Sequence, residues 1–151
     1  MAKEPFVVLM AEDDEHDVIA VNRAWKKNKI ANPLYIVPDG EECLDYLHQR
    51  GKYENPEDAP RPGILLLDIK MPKMDGLTVL KHMRESEKLN RLPVVILTTS
   101  KDEEDRLKSY DLRVNAYIIK PIGFENFSEA VKTINLFWEL VELPGESYGN
   151  R

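Results

Sequence analysis

The sequence predicts an α/β domain: a five-stranded, doubly wound parallel sheet with five helices and a C-terminal helical extension. Three observations carry that expectation. Short, β-branched apolar runs alternate along the chain with longer stretches of helical period. Two of those runs, the third and the fourth, are apolar at every position, as central strands covered on both faces are. Finally, 151 residues leave room for one contiguous core, since domains commonly hold on the order of 100 to 150 residues.

The elements follow in order. Residues 6–10 form the first strand, and Val18, Val21 and Trp25 recur at helical spacing behind it. The basic residues Lys26, Lys27 and Lys29 then read as a solvated helix end. Residues 34–37 are the second strand, and Leu44 with Leu47 mark the second helix. Cys43 lies among the apolar positions of that helix; as the one cysteine, it can make neither an internal disulfide nor a Cys-rich metal site, and it reads as a buried small side chain. The stretch 51–63, with Pro56, Pro60, Pro62 and several acids, reads as a surface loop. Residues 64–67 form the third strand, Leu77 and Leu80 the third helical stripe, 94–97 the fourth strand, Leu107 and Tyr110 the fourth stripe, and 116–119 the fifth strand. A last helix starts near Phe124 and carries Phe127, Val131, Ile134 and Trp138 along one face. Right-handed crossovers leave few topologies for such successive strand and helix units, and the doubly wound sheet is the natural one.

Bulk composition narrows the function classes. A hydrophobic share of 42% and a charged share of 32% are those of an ordinary globular chain. The formal net charge of -6 argues against nucleic acid as a partner, because such binders present a basic face. There is no apolar run of membrane-spanning length and no secretory pattern at the start, so no membrane partner is expected and the cytoplasm is the default location. His16, His48 and His82 have no metal-ligand spacing and read as surface or helix positions.

In open α/β sheets ligands bind beyond the carboxyl ends of the strands. Here those ends are polar. The first strand runs into Glu12, Asp13 and Asp14, the third into Asp68, the fourth into Thr98 and Thr99, and the fifth into Lys120 and Pro121. Taken singly, each has a plain structural reading: Asp14 as a helix cap, Thr98 as strand propensity, Lys120 as a solvated lysine. Together they bring carboxylates, a hydroxyl and an ammonium to one edge. Clustered carboxylates repel unless a cation or proton offsets them, and Asp13 with Asp68 supplies the incomplete oxygen shell that Mg favours. A carboxylate can also attack phosphorus to form an aspartyl phosphate once the phosphoryl oxygens are neutralised, a task for Mg and Lys120. The Thr98 hydroxyl can donate to one phosphoryl oxygen.

These residues resemble the receiver domains of bacterial response regulators, over residues 6 to about 137. The motifs are Ala11-Glu12-Asp13-Asp14, then Leu67-Asp68-Ile69-Lys70-Met71-Pro72-Lys73-Met74-Asp75-Gly76, then Leu97-Thr98-Thr99-Ser100, and Tyr117-Ile118-Ile119-Lys120-Pro121. The resemblance implies the flavodoxin-like strand order 2-1-3-4-5, with residues 1–137 as the receiver domain and 138–151 as an extension of the last helix. It implies Glu12 and Asp13 as the acidic pair, Asp68 as phosphoacceptor, Thr98 as switch hydroxyl and Lys120 as phosphate contact. The Lys70 backbone carbonyl completes the metal shell, and Tyr117 stands at the aromatic switch position, which is otherwise an edge-strand aromatic packed on a helix. Such a protein assists its own phosphorylation and dephosphorylation without being an enzyme in the ordinary sense. The sequence departs from the pattern in two places. Leu112-Arg113 stands where many receivers have glycine after the fourth helix, and Thr99 is bulkier than the small residues often found there, which implies slower access of water to the phosphoryl group.

The tail Leu136-Phe137-Trp138-Glu139-Leu140-Val141-Glu142-Leu143 carries more apolar groups than one helix face can bury, which favours a homodimer over the alternative of packing back on the same domain. With the Pro-containing loop and the paired threonines, it resembles the single-domain regulators that partner phytochrome histidine kinases. The implied partner is therefore a sensor histidine kinase. Two other classes compete: an adaptor working without phosphate, disfavoured by the intact set Asp13, Asp68, Thr98 and Lys120, and a magnesium-dependent hydrolase, disfavoured because Lys70 stands where a second acid would serve turnover.

Overall fold

The computed structural model describes residues 6–98 and 100–119. The β-branched and leucine-rich runs form five parallel strands, β1 (Val7–Ala11), β2 (Leu34–Val37), β3 (Pro62–Asp68), β4 (Val94–Thr98) and β5 (Ala116–Ile119), in the expected order β2-β1-β3-β4-β5. Among the described residues the helices are α1 (Glu15–Lys27), α2 (Gly40–Leu47), α3 (Gly76–Glu85) and α4 (Lys101–Lys108), with a 3-10 turn at Gly51–Tyr53. The expected fifth helix, its C-terminal extension, Thr99 and Lys120 lie outside the described residues.

Strand alternation divides the core. Leu9, Ala11, Leu65, Leu67, Val94 and Ile96 pack with Leu44, Leu47, Val79, Leu80 and Met83 of α2 and α3. On the other face, Val8, Met10, Ile64, Leu66, Val95 and Leu97 pack with Val21 and Ala24 of α1. Cys43 is fully buried, and burial pushes its thiol up to about 12. Every described helix starts on a polar cap. Asp14 accepts from the His16 and Asp17 amides, Asp39 from Glu42, Asp75 from Thr78, and the Ser100 hydroxyl from Glu103. Each cap is worth about 1 kcal/mol. Together they fix how each helix leaves the strand edge where the polar residues gather. No helix among the described residues is long and apolar enough to cross a membrane.

Three expectations are corrected. β3 is longer than residues 64–67 and takes Pro62 and Gly63 from the expected loop. Pro62 begins the strand, where no amide donor is required, and the Phe6 side chain lies over Gly63, whose Cβ position would be 2.8 Å from Phe6 Cβ. The remainder of the loop is not simply surface, since Ala59 is fully buried. Tyr46 donates its hydroxyl to the Pro60 carbonyl at 2.8 Å and Gln49 its amide to the Ala59 carbonyl at 2.9 Å, so upstream side chains supply the loop's polar partners. Tyr53 and Lys52 close on Glu42 at 2.5 and 2.7 Å. Lastly, Tyr110 is 44% exposed rather than core. Helix α4 stops at Lys108, before the stripe reaches it, and the ring instead takes the Lys81 ammonium at 4.6 Å.

Beyond α4 the chain turns through two left-handed residues, Asp111 (φ 50°) and Arg113 (φ 57°). Neither is glycine. Each left-handed residue costs roughly 1 kcal/mol against an ordinary conformation. Here lies the physical content of the Leu112-Arg113 departure: the turn keeps a left-handed shape and carries the strain.

Candidate functional site

Glu12 leaves the end of β1 held at both ends. Its amide donates to the Val37 carbonyl at 3.0 Å and its carboxylate accepts from the Asp14 amide at 3.2 Å. It is buried, as is Asp68 at the end of β3, whereas Asp13 is exposed. One carboxylate oxygen from each of Glu12, Asp13 and Asp68 lies within 4.8 Å of the others. The donor set is all oxygen, with two ligands sunk and one at the mouth. This is the composition a hard divalent cation takes, and it fits one that keeps part of its water shell. Asp14, the third acid of the run that starts at Glu12, turns away to cap α1.

The Asp68 carboxylate also accepts the Lys70 amide at 3.4 Å. The following loop is closed by Gly76, whose amide donates to the Ile69 carbonyl at 2.9 Å. Two glycines permit close backbone approach. A Cβ on Gly76 would run into the Asp68 carbonyl oxygen, and one on Gly40 into the Met74 carbonyl oxygen. Helix α2 therefore begins directly against the loop that follows Asp68. Asp39, the cap of α2, has its other oxygen 3.7 Å from the Lys73 ammonium, and Lys73 itself is left-handed (φ 68°).

Strand register brings Thr98 to the same edge, because Asp68 pairs with Leu97 and Thr98 follows it. Thr98 is fully buried, and its hydroxyl has no hydrogen-bond partner among the described residues. A buried hydroxyl without a partner is unusual, and at a ligand edge it suits an oxygen that arrives from outside. Thr98→Val keeps the β-branched shape and removes that hydroxyl. The valine variant is therefore expected to be more stable by about 1 kcal/mol in urea denaturation, and a loss of stability would mean that the hydroxyl is satisfied.

Ile96 pairs with Tyr117, so Tyr117 and Thr98 lie on the same side of the sheet. The Tyr117 ring is half-buried, with the Lys108 ammonium 5.4 Å from its centre. Burial, then the Glu104 charge, pushes its phenol up. Glu104 is buried on α4 between Lys101 at 2.7 Å and Lys108 at 2.8 Å, and these two hold its carboxyl below the usual range.

The structure thus brings Glu12, Asp13, Asp68 and Thr98 to one edge, with Tyr117 beside Thr98's strand. Gly40, Asp39 and Glu104 escaped the sequence reading. For Glu104 a signal existed in its i−3 and i+4 lysines; for Asp39 and Gly40 it was a cap residue followed by glycine.

Against known proteins, the model for the response regulator receiver domain matches residues 8–132. The chain belongs to the response regulator receiver domain family. It is similar to response regulator Rcp1 of Synechocystis sp., at 40% identity over 93% of this chain and 94% of that protein. The structure of the Mn(2+)-bound form of Rcp1 has a TM-score of 0.77 and covers 93% of this chain and 99% of that one. The phosphorylated cyanobacterial phytochrome response regulator RcpA, 37% identical, also has a TM-score of 0.77, covering 90% of this chain and 95% of its own. This is accordingly a two-component signalling protein that resembles phytochrome-pathway regulators, and its acidic cluster is of the kind that binds a divalent metal ion.

Proposed function

We propose that Asp68 accepts a phosphoryl group from a phosphohistidine of a sensor histidine kinase, of the phytochrome class, and that the modified surface is read by a partner or passes the group on. The observation that carries this reading is the buried Thr98 hydroxyl, without a partner among the described residues, one strand away from the buried Asp68 carboxylate within a three-acid cluster. Similarity to the phosphorylated phytochrome regulator RcpA and to the manganese-bound form of Rcp1 supports it.

In the proposed transfer an Asp68 carboxylate oxygen attacks phosphorus. The bond from phosphorus to the histidine nitrogen breaks, and its electron pair stays on the imidazole. A Mg ion held by Glu12, Asp13, Asp68 and the Lys70 carbonyl would neutralise charge on the phosphoryl oxygens. Lys120 offers its ammonium to one of those oxygens, and Thr98 donates its hydroxyl to another. Burial of Asp68 keeps bulk water from the new acyl phosphate. Movement of Thr98 toward the phosphoryl group frees space on its side of the sheet, into which the Tyr117 ring turns. Two such states need differ by only a few kcal/mol for phosphate to choose between them. Residues 138–151 extend the last helix and join two copies as a homodimer in the cytoplasm.

Intact mass after incubation with acetyl phosphate tests the reading. A single added phosphoryl group with Mg present, absent with a chelator, is expected. Steady release of inorganic phosphate from small phosphate esters, without an accumulating adduct, would instead support a hydrolase.

A further inference from the structure

Arg84, in the last turn of α3, reaches away from its own helix into two separate loops. Its Nε donates to the Leu112 carbonyl at 2.7 Å, one terminal nitrogen to Asn90 at 3.1 Å and Leu92 at 2.9 Å, and the other to Arg113 at 3.1 Å. All four acceptors are backbone carbonyls. Asn90 and Leu92 lead into β4, and Leu112 and Arg113 lead into β5. The second pair belongs to the left-handed turn at Asp111 and Arg113, where no glycine relieves the backbone. A planar guanidinium with donors in fixed directions is suited to hold several carbonyls at once, which an ammonium cannot do with the same geometry.

Asn115 completes the joint. Its amide donates to the Val94 carbonyl at 2.9 Å and its side-chain carbonyl accepts from the Val94 amide at 3.0 Å. The near ends of β4 and β5 are therefore locked in register, and that register sets Ile96 against Tyr117 and Thr98 against Ile119 at the far ends. Lys81, one turn before Arg84, adds its contact with the Tyr110 ring. Helix α4 is thus fastened where it ends. Over its length it buries only Glu104 and Leu107, and its start hangs from Ser100, two residues past Thr98.

We infer that Arg84 is a clamp that fixes the entry of β5, so that α4 swings about its C-terminal end while its N-terminal end follows Thr98. The clamp stands on the hydrogen bonds alone; the swing rests on the switching function proposed above.

Amide hydrogen exchange on the full chain tests each half. In Arg84→Lys, which keeps charge and length but loses the fork, the Asp111 and Asn115 amides are expected to exchange about tenfold faster or more through local opening, with Leu65 and Leu67 unchanged. Asn115→Ala should free Asp111 in the same way. Unchanged exchange at Asp111 and Asn115 in Arg84→Lys, or equal acceleration in β3, overturns the clamp. For the swing, beryllofluoride with magnesium serves as the phosphoryl mimic on the wild-type chain. Altered exchange at Glu103, Glu104 and Asp105 with Asp111 and Asn115 unaltered is expected, whereas equal change at both ends of α4 overturns it. A wild-type chain that responds nowhere contradicts the proposed switching function, and the unliganded comparison then still decides the clamp.

Discussion

Asp68→Asn is expected to abolish phosphoryl uptake while leaving the fold intact. The amide has the same heavy-atom count and nearly the same volume as the carboxylate. It can still accept the Lys70 amide, which Asp68 takes at 3.4 Å, so the start of the following loop keeps its anchor. What it lacks is an anionic oxygen to attack phosphorus, and an amide is no substitute as a nucleophile. It also removes one of three carboxylates whose oxygens lie within 4.8 Å of one another. Divalent-ion affinity should therefore fall at least about tenfold, or roughly 1.4 kcal/mol. Intact mass with acetyl phosphate and calorimetric titration with manganese read the two effects separately. An adduct that persists in Asp68→Asn would mean that another group, Asp13 foremost because it is exposed, is the acceptor. An affinity left unchanged would remove Asp68 from the metal shell.

What could be seen in the sequence divides along a physical line. The centres of the strands were legible because a strand such as β4, buried at all five positions, must be apolar throughout. The acids and the threonine of the site were legible because the fold rule says where to look, beyond the strand ends. The ends of elements were not. Pro62 and Gly63 read as loop residues, yet they open β3 because Phe6 covers the glycine. Tyr110 shares a helical spacing with Leu107 but stands beyond the last turn of α4. Groups defined by tertiary contact were least legible of all. Arg84 is an ordinary last-turn arginine until the loops from residues 28 and 29 positions away fold under it, and Glu104 is a surface acid until Lys101 and Lys108 close on it.

Gly76→Ala is expected to damage both the fold and the site, although it adds a single methyl group. Gly76 is not among the left-handed glycines, so backbone freedom is not what it supplies. Its value is nearness. An added Cβ would press on the Asp68 carbonyl oxygen and stand 2.9 Å from Ile69 Cα and 3.1 Å from the Asp68 carbonyl carbon. All three are backbone atoms, which cannot rotate aside as a flexible side chain could. Alanine would gain up to about 1 kcal/mol of helix propensity at this first position of α3. Against that, overpacking costs typically about 1–3 kcal/mol and more where the neighbour is rigid, and the hydrogen bond from the Gly76 amide to the Ile69 carbonyl would lengthen as the two segments part. A net loss of roughly 2 kcal/mol is expected in urea denaturation. The displaced backbone belongs to Asp68 itself, so divalent affinity should drop along with stability, although no ligand has been removed. Gly51→Ala provides the contrast. Gly51 is left-handed (φ 62°) with nothing within 4 Å of its Cβ position. Its alanine variant should lose only about 1 kcal/mol from backbone strain and bind manganese as the wild type does. If the two variants proved equally mild, with equal manganese affinity, the close packing of α3 on Asp68 would not be what positions the carboxylate.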